Sequence, residues 1–298
     1  MNSKKVNKLL NKIIIFLIIV MIGIYGKKYV EESYSYQETG VSTTSNLEIY
    51  FFDVGQADSI FISNNDYTML IDAGNNSDGE NIVKFLKEKK INDIDIVVGT
   101  HPHEDHIGGL DDVISNFDIG KVYMPDVTST SKTFSDVLDV IEEKELNITV
   151  PIIDEVFSLN DMKFKVIYTG NDEEELNNSS IVLRMDFGNT SYLFTGDAEK
   201  SVEKLILDKE IDVDVLKVSH HGSDYSSSNK FLDIVSPKYA IISVGYDNKY
   251  NHPSNNVINE LTNRNINVFR TDKDGTIKLF SDGKNIDIEK LDIKLDGN

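Results

Sequence analysis

From residue 47 onward, short apolar runs alternate with amphipathic stretches. LEIYFFDV (47–54), SIFIS (59–63) and YTMLID (67–72) follow closely, parted by Gly, Asn and Asp, which is the spacing of a β-meander. The pattern then turns to helix–strand units. Helical spacing covers about 80–90, a buried-type strand covers 95–99, and a further helix runs from about 108 to 116. KVYM (121–124), a helix near 133–145, and strands around 152–157 and 162–169 come next. Polar NDEEELNNSS (171–180) leads into IVLRMDF (181–187), SYLFTGD (191–197), a helix over 198–209 and VDVLKVS (213–219). Two more helix–strand units and terminal strands finish the chain. Strand clusters in both halves with helices between them predict two packed sheets with helices outside, a four-layer αββα sandwich over 47–298.

The first 28 residues differ in kind. Lys4, Lys5, Lys8 and Lys12 precede an apolar run over 13–25, and Lys27 and Lys28 follow it. A basic flank before such a run marks an export signal or signal anchor. No small-residue cleavage motif follows, so one uncleaved N-terminal hydrophobic helix is expected, with a cleaved, secreted form as the alternative. More lysines lie before the run than after it, which predicts the N-terminus inside and the domain outside the membrane. Residues 29–46 are polar and aperiodic, as a flexible tether would be.

Charge and composition narrow the chemistry. The 298 residues carry a formal net charge of −20; the first 28 hold six lysines and no acid, leaving −26 on the rest. Such a body repels phosphate polymers unless metal or a local basic patch intervenes, and no Lys/Arg cluster of nucleic-acid-binding type is present. Cysteine is absent, which excludes disulfides and thiolate ligands. Any metal site must use His, Asp, Glu or Asn.

Three of the six histidines fall within THPHEDHIGGL (100–110). His101 and His103 stand two apart at a strand end, where i and i+2 project to one side. Asp105 and His106 follow in the turn that opens a helix and approach from another direction. Three imidazoles and a carboxylate in that arrangement suit one or two divalent metals. Asp197 ends the strand of TGD, where a carboxylate could bridge two metals. His220 and His221 end another strand, so one could complete a metal shell while its neighbour faces substrate. His252 lies in a loop before a helix that Ser254 could cap. All six histidines thus sit at strand-to-helix junctions, where α/β folds gather ligands.

THPHEDHIGGL resembles the H-x-H-x-D-H signature of the metallo-β-lactamase superfamily. FFDVGQADSIFI (51–62), LIDAG (70–74), NNSSIVLRMDFG (177–188), YLFTGDAE (192–199), LKVSHHGSDYS (216–226) and HPS (252–254) narrow the resemblance to the metallo-hydrolase domain of ComEC-type competence proteins, which take part in DNA uptake. By that resemblance Asp72 orients the metal-binding loop. His101, His103 and Asp197 would hold a first metal, aided by Asn178; Asp105, His106, Asp197 and His220 would hold a second. The superfamily's further ligand histidine is missing, since none lies between His106 and Asp197. A site poorer in nitrogen makes Mn²⁺ a rival to Zn²⁺.

The resemblance implies hydrolysis by metal-activated water, with a phosphodiester, single-stranded DNA first, as substrate. Asp105 is carried into the catalytic set, His221 or His252 would protonate the leaving group, and Ser223, with Ser226, would bind substrate oxygens or shape the loop. The acidic body speaks for other substrates: a metallo-hydrolase of another ester or cell-envelope compound, or a non-catalytic surface binding module. With one hydrophobic segment, the chain is not itself a DNA channel.

Overall fold

A computed structural model describes residues 46–297. The expected membrane helix over 1–28, and the tether up to residue 45, lie outside these residues. No helix among the described residues is long and apolar enough to cross a membrane.

Eight strands form the first sheet: β1 (Leu47–Phe51), β2 (Ser59–Asn64), β3 (Tyr67–Ala73), β4 (Asp93–Val98), β5 (Asp118–Tyr123), β6 (Ile148–Thr149), β14 (Thr276–Ser281) and β15 (Ile286–Leu291). Their spatial order is β15-β14-β1-β2-β3-β4-β5-β6. The second sheet holds β7 (Val156–Leu159), β8 (Met162–Tyr168), β9 (Val182–Phe187), β10 (Thr190–Phe194), β11 (Val215–Lys217), β12 (Tyr239–Ile242) and β13 (Asn267–Arg270). Its order is β13-β12-β11-β10-β9-β8-β7. The meander β1–β3 is antiparallel, whereas β3–β4–β5 and β10–β11–β12–β13 are parallel.

Alternation along the strands builds the layers. Ile49, Phe51, Ile60, Ile62, Met69 and Ile71 face the second sheet and share one core with Phe164, Leu183, Met185 and Phe194. Phe51 and Phe194 stack across the two sheets with ring centroids 6.4 Å apart. Burying each ring stabilises the sandwich by roughly 1.5–3 kcal/mol. Tyr50, Phe61 and Leu70 point the other way, under helices α1 (Gly79–Glu88), α3 (Leu110–Asn116) and α4 (Lys132–Glu143). Leu193, Leu216 and Ile242 do the same beneath α5 (Lys200–Ile206), α6 (Asn229–Val235) and α7 (Asn255–Asn263). The four-layer arrangement is therefore present. Strands buried on both faces also explain the nearly continuous apolar runs.

Local departures have local causes. The helix expected from about 108 begins earlier and is split into α2 (Glu104–Ile107) and α3. Gly108 lies at the break, and a Cβ there would stand 2.2 Å from the Asn75 carbonyl carbon. The strand expected at 152–157 starts only at Val156, because Pro151 lacks a donor and Asp154 turns the chain with φ +68°. A short helix α8 (Thr271–Asp274) precedes the C-terminal hairpin. Ser254 caps α7, its Oγ accepting from the Val257 amide at 3.2 Å.

Candidate metal centre

The carboxyl ends of β3, β4, β10 and β11 open toward one cleft, the position where parallel strands of α/β proteins present ligands. Asp72 ends β3 with φ +58°, a left-handed conformation that Asp tolerates better than most residues. Its Oδ1 accepts the Thr100 amide at 2.8 Å, and its Oδ2 accepts the Thr100 hydroxyl at 2.7 Å. The same Oδ2 stands 2.8 Å from His106 Nδ1, which fixes the ring with Nε2 facing the cleft. The Thr100 carbonyl in turn accepts the Ile181 amide at 3.0 Å and ties the loop to the second sheet.

His101 Nε2 and His103 Nδ1 approach to 3.0 Å, so both rings aim at one point. His106 Nε2 lies 3.3 Å from Asp197 Oδ1. The Asp197 backbone is held by Ser180, whose Oγ accepts its amide at 3.1 Å. On the far side, His221 Nε2 stands 3.4 Å from Asp105 Oδ2 and 3.7 Å from Asp197 Oδ2. His221 Nδ1 donates to the Ser243 carbonyl at 3.0 Å. Among the described residues three overlapping donor groups result: His101, His106 and Asp197; Asp105, His106 and His221; and Asp58, Asp72 and His106.

The electrostatics favour a cation. Burial opposes the charge on Asp197, yet His106 and His221 outweigh it and hold this carboxyl well below its usual range. Burial likewise opposes a protonated His221, but Asp197, Asp105 and Asp58 push it up to about 10. His106 is raised for the same reason by Asp197 and Asp72. His101 goes the other way: burial, then its neighbour His106, keeps it neutral. Among the described residues, His106 Nε2, Asp197 Oδ1 and His221 Nε2 are buried polar atoms without a hydrogen-bond partner. Such atoms are costly unless something coordinates them. Imidazole and carboxylate donors that converge without hydrogen-bonding one another fit divalent metal ions, which would take the place of the protons that this field holds on His106 and His221.

The donor groups floor a pocket of about 320 Å³, lined also by Gln56, Asn177, His220, Tyr250 and His252. A family model described as metallo-beta-lactamase superfamily matches residues 52–246. The chain belongs to this superfamily. Its curated relatives include ComEC-type competence proteins. ComE operon protein 3 of Bacillus subtilis (strain 168) is 33% identical over 256 residues, covering 79% of this chain and 33% of that protein. Competence protein ComA of Neisseria gonorrhoeae is 28% identical over 232 residues, covering 76% and 31%. The chain thus spans about a third of the length of these relatives. Igni18, a metallo hydrolase from the archaeon Ignicoccus hospitalis KIN4/I, shares the fold at 12% identity and TM-score 0.51, over 78% of this chain and 98% of that one.

Within this superfamily fold, several expected residues sit elsewhere than their motifs suggested. His221, not His220, is turned into the donor group, so its expected place beside the leaving group does not match its burial. The cause is backbone geometry: His220 and His221 both adopt left-handed φ, +50° and +51°. That double turn leaves His220 at the rim, 3.5 Å from Glu199 Oε1 and 3.8 Å from Asp197 Oδ2. Asn178 is buried and its Oδ1 accepts from the Glu199 amide and the Ser201 hydroxyl, at 3.2 and 2.9 Å. Asn177 lines the pocket instead. Ser223 and Ser226 are buried too; Ser223 Oγ accepts the Tyr225 amide and Ser226 donates to the Ser219 carbonyl, so both shape the loop. His252 lines the pocket.

One buried pair joins two of the quoted segments, FFDVGQADSIFI and LKVSHHGSDYS, without being among the expected site residues. Asp58 Oδ2 lies 2.7 Å from Lys217 Nζ, both side chains almost wholly buried. Asp58 Oδ1 stands 3.5 Å from His221 Nδ1, and the Asp58 amide donates to the Asp105 carbonyl at 2.9 Å. The pair thus backs two donors at once. Its signal in the sequence is a lysine set inside the apolar run VDVLKVS.

Proposed function

We propose that this domain is a metal-dependent phosphodiesterase, with single-stranded DNA as first substrate, held outside the cell membrane by its N-terminal segment. The observation that carries the reading is the convergence of His106 Nε2, Asp197 Oδ1 and His221 Nε2, buried and unpartnered, beneath an open pocket. His101, His103 and Asp197 would hold one Zn²⁺ or Mn²⁺; Asp105, His106, His221 and Asp197 would hold a second. Divalent ions bound there supply Lewis acidity and make hydroxide available near neutral pH.

The chain's own residues do the remainder. Asp72 and the Ser243 carbonyl orient His106 and His221 from behind. Asp58, neutralised by Lys217, fixes the segment that carries Asp105. His220 and His252 line the pocket with rings 5.7 Å apart, and each can move a proton to a leaving oxygen. Burial, then the neighbouring His220 and His221, lowers the His252 pKa, so this ring is neutral near pH 7 and takes up a proton before it can give one to a leaving oxygen. Relatives named as competence proteins support a nucleic-acid phosphodiester. The apolar run at 13–25, with lysines concentrated before it, supports the anchored placement.

Purified protein should cleave single-stranded DNA with added Mn²⁺ or Zn²⁺ and stop with chelator, and Asp105→Ala or Asp197→Ala should abolish cleavage while the circular dichroism spectrum is kept. Turnover of a small phosphodiester without DNA cleavage would move the substrate to another ester, as the acidic body favours. Inertness toward every ester with metals bound would leave a binding module.

A further inference from the structure

The metal pocket does not end at its metal ligands. Tyr250 and Gln56 line both it and an adjoining groove of about 470 Å³, whose far wall is Tyr246. Tyr250 is 54% exposed and Tyr246 80% exposed. Tyr250 is nevertheless placed: its ring lies nearly parallel to His252, with centroids 5.8 Å apart and planes inclined by 22°. Asn248 secures the loop, its Oδ1 accepting the Tyr250 and His252 amides at 3.2 and 3.0 Å.

The groove is a poor track for a phosphate backbone. Asp53, Asp272 and Asp296 line it against Lys249 and Lys294. Asp272 is engaged by Arg270 at 2.5 Å, and Lys294 lies 3.8 Å from Asp53. Affinity for a polyanion must then come from something other than lysine–phosphate pairs. An exposed, oriented aromatic beside the reaction centre supplies such a contact, because every nucleobase has a π-face. Lys249 Nζ lies 4.9 Å from the Tyr250 centroid, which places one cation beside the ring.

We propose that Tyr250 is a stacking platform for an unpaired base next to the scissile bond, which makes single-stranded nucleic acid the substrate class of this pocket. The proposal rests on the phosphodiesterase reading above, and two separate measurements distinguish their failures. In the first, the full chain with Mn²⁺ is given a short oligodeoxythymidylate and its abasic tetrahydrofuran analogue. The base-bearing strand should be preferred by about tenfold in kcat/KM, the scale of one stacked base. That preference should collapse toward unity in Tyr250→Ala, chiefly through KM, and persist in Tyr250→Phe and Tyr250→Trp. In the second, a 2-aminopurine oligonucleotide is titrated with chelator-treated protein, and its fluorescence should be quenched by wild type and not by Tyr250→Ala. Equal turnover of both strands by wild type, or an undiminished preference in Tyr250→Ala, overturns the stacking role while leaving hydrolysis intact. Quenching that depends on Tyr250, with neither strand cut under any metal, upholds the platform and removes the phosphodiesterase. Absence of both quenching and cleavage removes both.

Discussion

His106 and Asp72 meet at 2.8 Å in full burial, Nδ1 against Oδ2, thirty-four positions apart in the chain. Because the contact occupies Nδ1, only Nε2 can reach the cleft, so Asp72 selects the tautomer of a ligand that it never joins. Asp72→Asn should weaken metal affinity about 10- to 100-fold, the usual cost of losing a partner behind a metal-binding histidine. Competition against a chromophoric chelator measures it. Affinity equal to wild type would remove the orienting role.

The two adjacent histidines should separate cleanly. His221→Ala removes a buried donor facing Asp105 and should lower the metal content of purified protein. His220→Ala, at the rim, should retain metal while turnover falls by about 10²–10⁴, the range for a lost proton donor. Elemental analysis beside kinetics reads both. The reverse pattern, with metal lost in the His220 variant, would restore the ligand order that the sequence motif suggested.

Lys217 and Asp58 form a charged pair with almost no solvent contact. Lys217→Met should destabilise metal-free protein by about 3–5 kcal/mol near neutral pH, since it strands a buried carboxylate. The double variant Asp58→Asn/Lys217→Met should recover most of that loss. Burial raises the Asp58 pKa, but Lys217 and then His221 outweigh it and lower it from 3.8 to about 2. The resulting stabilisation is complete above the ordinary carboxylate value and is lost as pH falls through about 2. Urea melts across acidic pH should therefore show the advantage of wild type over Lys217→Met shrinking toward low pH. An advantage that grows there would contradict the sign.

Much of this site is legible in the sequence itself. Period-2 alternation in 47–72 separates Ile49 and Phe51 from Tyr50, and the sheets sort these residues into different layers. The crowding of His101, His103, Asp105 and His106 at a strand end is likewise a local pattern, and the fold brings Asp197 to it from the second sheet. What sequence could not resolve are one-residue choices. His220 against His221 depends on two successive left-handed residues, and Asn177 against Asn178 on a single turn of 3₁₀ helix over Leu176–Ser179. Periodicity carries no information about either. Lys217 is different in kind: its partner Asp58 sits in the loop before β2 of the other sheet, and only tertiary packing joins them.

The left-handed turn itself makes the last prediction. His220 has φ +50° with a Cβ, a conformation that costs roughly 1–2 kcal/mol for an ordinary residue. The surrounding loop enforces it: the His220 amide donates to the Gly196 carbonyl at 3.2 Å, and its carbonyl accepts the Ser223 amide at 2.8 Å. Neither bond needs the imidazole. His220→Gly should therefore unfold later than His220→Ala, by about 1 kcal/mol in denaturant melts, since glycine adopts this φ without penalty. Both variants should lose turnover alike, because both lack the ring at the pocket rim. If glycine gave no gain over alanine, the loop would not be holding His220 under strain, and the inward turn of His221 would need another cause. A gain with turnover still lost identifies a strained backbone kept for what its side chain does.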